Sequence, residues 1–106
     1  HPIHLDKVFA KNSIYKKQLV VGPYILSLVV GMTVRDISIN AVANLGYNSI
    51  KHLKPLFIGD TLHATSSVIS IRKSKSFKKN KIIEIETFGK NQRKEKVISF
   101  KRHILI

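Results

Sequence analysis

The chain has 106 residues, 43% hydrophobic and 24% charged, the balance of one globular core rather than of a disordered or fibrous chain. Nineteen Lys and Arg against six Asp and Glu give a formal net charge of +13, so nucleic acid, a membrane surface and a phosphorylated cofactor must each be weighed as partners. The absence of cysteine excludes disulfides, Cys-ligated zinc, iron–sulfur clusters and a Cys nucleophile.

The opening His1-Pro2-Ile3-His4-Leu5-Asp6 ends on a residue suited to cap a short helical turn with apolar positions Val8, Phe9 and Ala10, which leaves His4 in the loop before it. Gly22-Pro23 marks a loop-to-helix junction, with Pro favoured at the first helical position. From Tyr24 to Val34 the residues are apolar on nearly every face, which predicts a helix wrapped by sheet and ending near Arg35. The run is too short to span a membrane. Segment 47–54 alternates in part, and Pro55 and Gly59-Asp60 punctuate the chain before a half-buried strand over 62–73. A basic turn (74–81) leads to a strand with Ile83, Ile85 and Thr87 on one face and Glu84 and Glu86 on the other. After a polar turn (89–94), residues 96–106 put Ile98, Phe100, Ile104 and Ile106 on one face, with Arg102 the exception. The last three strands are expected to form an antiparallel meander.

No basic, apolar and cleavage regions follow one another at the start, which leaves the cytoplasm as the default location. Lacking an initiator Met and with a motif already under way at residue 1, the chain reads as one that begins downstream of its natural start.

Two groups of residues carry chemistry. Two imidazoles and a carboxylate in His1–Asp6 suit proton transfer near neutral pH, with a rigid Pro loop to aim them; the same residues also read as a surface histidine beside a capping aspartate. Gly22 at the mouth of an apolar helix offers backbone N–H groups to a carbonyl that becomes an oxyanion, or it is an ordinary helix start. His1, His4, His52, His63 and His103 come without an HExxH spacing or an acidic cluster, so no metal site is expected. The basic runs hold little aromatic character, Phe77 being alone in the longest, and a solvated Lys-rich surface explains them better than a nucleic-acid or membrane partner.

HPIHLDKVFA, QLVVGPYILSLVVGM, NLGYNSIKHLKPLFIGDTL, RKSKS and NQRKEKVISFKR, in that order over essentially the whole chain, resemble the MaoC-like dehydratase family, which includes the (R)-specific enoyl-CoA hydratases. The resemblance implies an α+β hot-dog fold, an antiparallel sheet wrapped around a central apolar helix, as one domain over 1–106 that lacks its N-terminal strand. It implies hydration of 2-enoyl-CoA to 3-hydroxyacyl-CoA, with His4 matching the motif histidine and an aspartate expected two positions before the residue matching His1. Gly22 would bind the thioester carbonyl, and Tyr24, Lys51, Lys54 and Arg72 would contact substrate. No metal or redox cofactor is implied, coenzyme A entering as part of the acyl-CoA substrate, and the unit is expected to be a homodimer or larger. His1 stands where many members have Asn, and Val21-Gly22-Pro23 where many have His-Gly-Met. An acyl-CoA thioesterase is disfavoured because residues 22–35 contain no carboxylate; a non-catalytic acyl-CoA-binding half is the other alternative.

Overall fold

The computed structural model describes residues 1–106 as two short helices, a central helix and a four-stranded sheet. Helix α1 (Pro2–Leu5) starts at Pro2, whose fixed φ suits a first turn, with the His1 ring accepting from Ile3 N–H. His4 therefore sits in a helix rather than in the loop expected for it. Asp6 ends α1 and caps α2 (Lys7–Lys11), its carboxylate accepting from Val8 N–H at 2.9 Å and Phe9 N–H at 3.1 Å.

Helix α3 (Gly22–Met32) begins where the Gly-Pro junction predicts. It stops short of Arg35: Thr33 turns its hydroxyl back to Val30 O, and the backbone continues as a wider π turn over Val34–Ser38. The sheet covers one face of α3, burying Ile25 and Val29, while Tyr24 and Met32 stay exposed. The wrapping expected from its all-round apolar character is thus one-sided.

Strands β1 (Ala43–His52), β2 (His63–Lys73), β3 (Lys81–Lys90) and β4 (Lys96–Leu105) form one antiparallel sheet in the order β1–β4–β3–β2. The meander of the last three strands is as expected, and β1 adds to its β4 edge. β1 starts before the alternating segment and is broken by register shifts after Asn44 and Asn48, with Ser49 at positive φ. Those bulges hid its start and end from a period-2 reading.

Ala64, Gly89 and Ile98 share a row across β2, β3 and β4. A side chain at Gly89 would meet Val29 and Ile98, so this bare position lets α3 settle on the sheet. Ile25, Val29, Leu56, Val97, Ile98 and Phe100 make the core between them. Thr87, fully buried, pairs its hydroxyl with that of Ser66 at 2.9 Å. Arg102 does not break the inward face of β4: it is buried with Phe100 and Ile104 and donates to the Thr33 hydroxyl.

The Gly59–Leu62 turn and the β3–β4 turn fasten each other. Gly59 takes φ +96°, and Asp60 accepts from Phe57 N–H and from the Gln92 amide, each at 2.9 Å. Gln92 returns an acceptor to Thr61 N–H at 3.1 Å. Burial works to raise the Asp60 pKa, but the Gln92 and Phe57 hydrogen bonds, with Arg93 and Lys17 nearby, outweigh it and hold the carboxyl below its ordinary value. No helix is long and apolar enough to cross a membrane.

Candidate functional site

The segment Gln18–Val20 joins the two parts of the site. Leu19 N–H donates to Ile3 O at 3.1 Å, Gln18 donates its amide to His4 O, and Val20 N–H bonds Leu56 O at 2.8 Å. His4 Nδ1 lies 3.0 Å from Leu19 O. A carbonyl oxygen only accepts, so Nδ1 carries the proton and Nε2 is left with its lone pair, the tautomer a general base needs.

Two residues further on, Val21 supplies the N-cap position of α3 without a side-chain bond. Tyr24 and Ile25 N–H both donate to Val21 O, at 3.1 and 3.2 Å. Pro23 has no N–H, so the backbone N–H of Gly22 is the donor of this first turn with no partner in the chain. It opens on a cavity of about 310 Å³ lined by Gly22, Ile25, Leu19, Val20, Tyr15 and the segment His52–Leu56. The His52 ring lies against Gly22 so closely that a Cβ there would come within 3.1 Å of its Cε1. A side chain at position 22 would thus crowd the exposed His52 ring and push it aside by a few tenths of an ångström. His52 drew attention in the sequence only as one of five histidines; its position over residue 22 comes from the fold, and no spacing signals it.

Gly22 and Lys54 meet on this cavity. His4 is tied to its wall through Leu19. Tyr24, 58% exposed, is not among the lining residues. Lys51 lines a small depression with Ser49, Glu86 and Ser99, and Arg72 a separate one with Tyr47 and His103, so neither is brought to Gly22. No group of three or more His, Cys, Asp or Glu side chains is arranged to hold a metal ion.

Lys54 is engaged: its ammonium lies 2.6 Å from Glu95, which also accepts from Asn91 at 3.0 Å and Arg93 at 2.8 Å. The Lys54 bond first, then those from Asn91 and Arg93, lowers the Glu95 pKa to about 2. A carboxyl whose folded value is below its unfolded one stabilises the fold fully above the unfolded value of 4.5 and loses that contribution as pH falls through about 2. Wild type should therefore exceed Glu95→Gln in thermal midpoint at neutral pH, with the gap closing under acid titration; a gap that does not change with pH would contradict this.

Residues 1–97 match the MaoC like domain. A mesaconyl-CoA hydratase of Cereibacter sphaeroides is 48% identical over 79 residues, 74% of this chain but 23% of that protein. The chain thus spans about a quarter of the length of that curated relative. A MaoC domain dehydratase structure from Chloroflexus aurantiacus superposes with a TM-score of 0.90 at 32% identity, over 98% of this chain and 29% of the other. A double hot-dog protein of Mycobacterium tuberculosis, at 16% identity, gives a TM-score of 0.88 over 98% of this chain and 32% of that chain, a likeness of fold alone.

Proposed function

Because the chain belongs to the MaoC-like domain family and has its hot-dog fold, we propose that it is a hydratase/dehydratase unit acting on 2-enoyl-CoA and 3-hydroxyacyl-CoA thioesters. The observation that carries the reading is the unpartnered Gly22 N–H at the mouth of an apolar cavity, with His4 held in its Nε2-basic tautomer by the adjoining segment. In this proposal the thioester oxygen accepts from Gly22 N–H. His4 Nε2 takes a proton from water as the oxygen adds to C3, electron density moves through C2 to the thioester oxygen, and C2 then receives a proton. The expected upstream aspartate shares that proton traffic. Charge grows on the thioester oxygen during the step, so a donor fixed there stabilises the transition state more than the ground state. Addition of water is redox-neutral, and the scheme uses no metal or redox cofactor.

Of the cations singled out in the sequence, Lys54 is the one on this cavity and is assigned to the coenzyme A moiety. Its bond to Glu95 joins side chains 54% and 32% exposed, where solvent screens the attraction, so a phosphate can displace the carboxylate. Mesaconyl-CoA, named for the Cereibacter relative, and crotonyl-CoA are the substrates to assay, by loss of enoyl-thioester absorbance. A form carrying an aspartate two positions before His1 should hydrate at least one of them; no turnover of either would overturn the reading. The proposed location is the cytoplasm.

The unit works as a homodimer or larger. Its Cα radius of gyration is 16.5 Å, against about 13 Å for a compact chain of this length. β1 and β2 are both sheet edges, and Leu45, Ile50, Val68 and Ile71 on them are exposed. Unpaired edges with apolar side chains call for a covering strand or sheet: the N-terminal strand expected upstream on one side and a second copy on the other. Sedimentation at micromolar concentration should show a dimer or larger, and a compact monomer would count against it.

A further inference from the structure

We propose that His52 is a second hydrogen-bond donor to the thioester oxygen, acting beside the Gly22 N–H. The inference rests on the hydratase reading above and adds a residue to its chemistry.

The first turn of α3 creates the need for it. An acyl oxygen that takes up charge accepts more than one hydrogen bond, and side chains, histidine among them, supply these as well as backbone N–H groups do. Here the backbone offers one. Pro23 has no N–H, and the Tyr24 and Ile25 N–H groups are committed to Val21 O at 3.1 and 3.2 Å, which leaves Gly22 alone at the start of the helix.

His52 stands where a second donor is wanted. It ends β1 opposite Ile98 of β4, and residues directly opposite in a sheet share a face. Ile98 packs with Val29 in the core, so the imidazole is on the side that carries α3. The three atoms nearest the Cβ site of Gly22 all belong to this ring: Cε1 at 3.1 Å, Nε2 at 3.2 Å and Nδ1 at 3.6 Å. The tip of the ring is thus turned to residue 22, and both residues line the same cavity. Nor is the ring engaged elsewhere. The rings of His1, His4 and His103 meet Ile3 N–H, Leu19 O and Glu84, whereas no hydrogen bond within the chain holds that of His52. Its tautomer is therefore free, and Nε2 can carry the proton. Of the other polar side chains on the cavity, Lys54 is held by Glu95 and the Tyr15 ring tilts over Phe57.

As water adds to C3 and its proton passes to His4, electron density reaches the thioester oxygen. His52 Nε2–H tightens on that oxygen without giving up its proton, and the bond relaxes when C2 is protonated. The balance of the reaction is unchanged and the barrier is lowered.

Acetoacetyl-CoA tests this without turnover, because loss of its C2 proton puts part of the resulting negative charge on the thioester oxygen and the enolate is read by its ultraviolet absorbance. The full chain should lower the apparent pKa of the bound ligand. His52→Phe, a flat ring of similar size with no donor, should raise it again by about one to two units, the loss of one hydrogen bond to a charged group. His52→Gln, whose amide N–H reaches about as far as Nε2, should restore most of the effect, and Tyr15→Phe should leave it unchanged. In the form carrying the upstream aspartate, His52→Phe should lower kcat for enoyl-CoA by about 10²-fold with KM near wild type, since the charge develops after substrate is bound. No lowering by the wild-type chain, an enolate fraction unaltered in His52→Phe, a loss that His52→Gln does not reverse, or an equal loss in Tyr15→Phe overturns the proposal. A His52-dependent enolate shift without turnover of any enoyl-CoA would keep His52 as a donor to a thioester oxygen and overturn the hydratase reading alone.

Discussion

His4→Ala should lower enoyl-CoA hydration by about 10² to 10⁴-fold, the range a positioned general base contributes, while leaving the sheet and α3 intact. His4 is half-buried and its ring makes one hydrogen bond, to Leu19 O. The backbone around it is held independently by Leu19 N–H on Ile3 O and by the Gln18 amide on His4 O. Removing the ring thus removes the proton acceptor and little of the frame, and far-ultraviolet circular dichroism with thermal melting should separate the two effects. His4→Asn tests the tautomer argument more closely, because its amide nitrogen is attached at Cγ like Nδ1 and can still donate to Leu19 O but offers no basic nitrogen; it should be as inactive as alanine with near wild-type stability. Full activity in either variant would sink the role assigned to His4.

How far the sequence reveals the molecule depends on whether a feature is written locally. The Asp6 cap, the Gly22-Pro23 helix start and the β2–β3–β4 meander follow from neighbours in the chain, and they stand where the residues place them. β1 is less legible because two bulges interrupt its alternation. Arg102 is misread for a different reason. Charge argues for solvent, yet the strand period puts position 102 on the same face as Phe100 and Ile104, and the period wins because Thr33 and Tyr47 supply hydroxyls under the end of α3. The contact of His52 with Gly22 has no local signature at all. Likewise Lys51 and Lys54, three residues apart, line different depressions. Basic composition identifies candidates for phosphate contacts, and the fold selects among them.

Gly89 tests the packing of the helix on the sheet most directly, because two rules give opposite signs for its replacement by alanine. In a strand interior, Gly→Ala ordinarily stabilises by about 0.5 to 1 kcal/mol through reduced freedom of the unfolded chain. At this position the added Cβ would stand 2.8 Å from Val29 Cγ2 and 2.8 Å from Ile98 Cγ2, closer than real Cβ contacts come. Neither methyl can swing away: both belong to β-branched side chains with stiff χ1, and both residues are 0% exposed in the core. α3 must lift, at a cost of about 1 to 3 kcal/mol, which outweighs the entropic gain. Gly89→Ala should therefore lower the thermal midpoint by roughly 4 to 8 °C for each net kcal/mol lost. Val29→Ala alone should also destabilise, through the space it vacates. Combined with Gly89→Ala it should cost less than the sum of the two, since the removed methyl is one of the two that clash and contacting residues couple. Additive losses in the double variant, or an unchanged midpoint in Gly89→Ala, would mean that α3 does not rest on this row of the sheet.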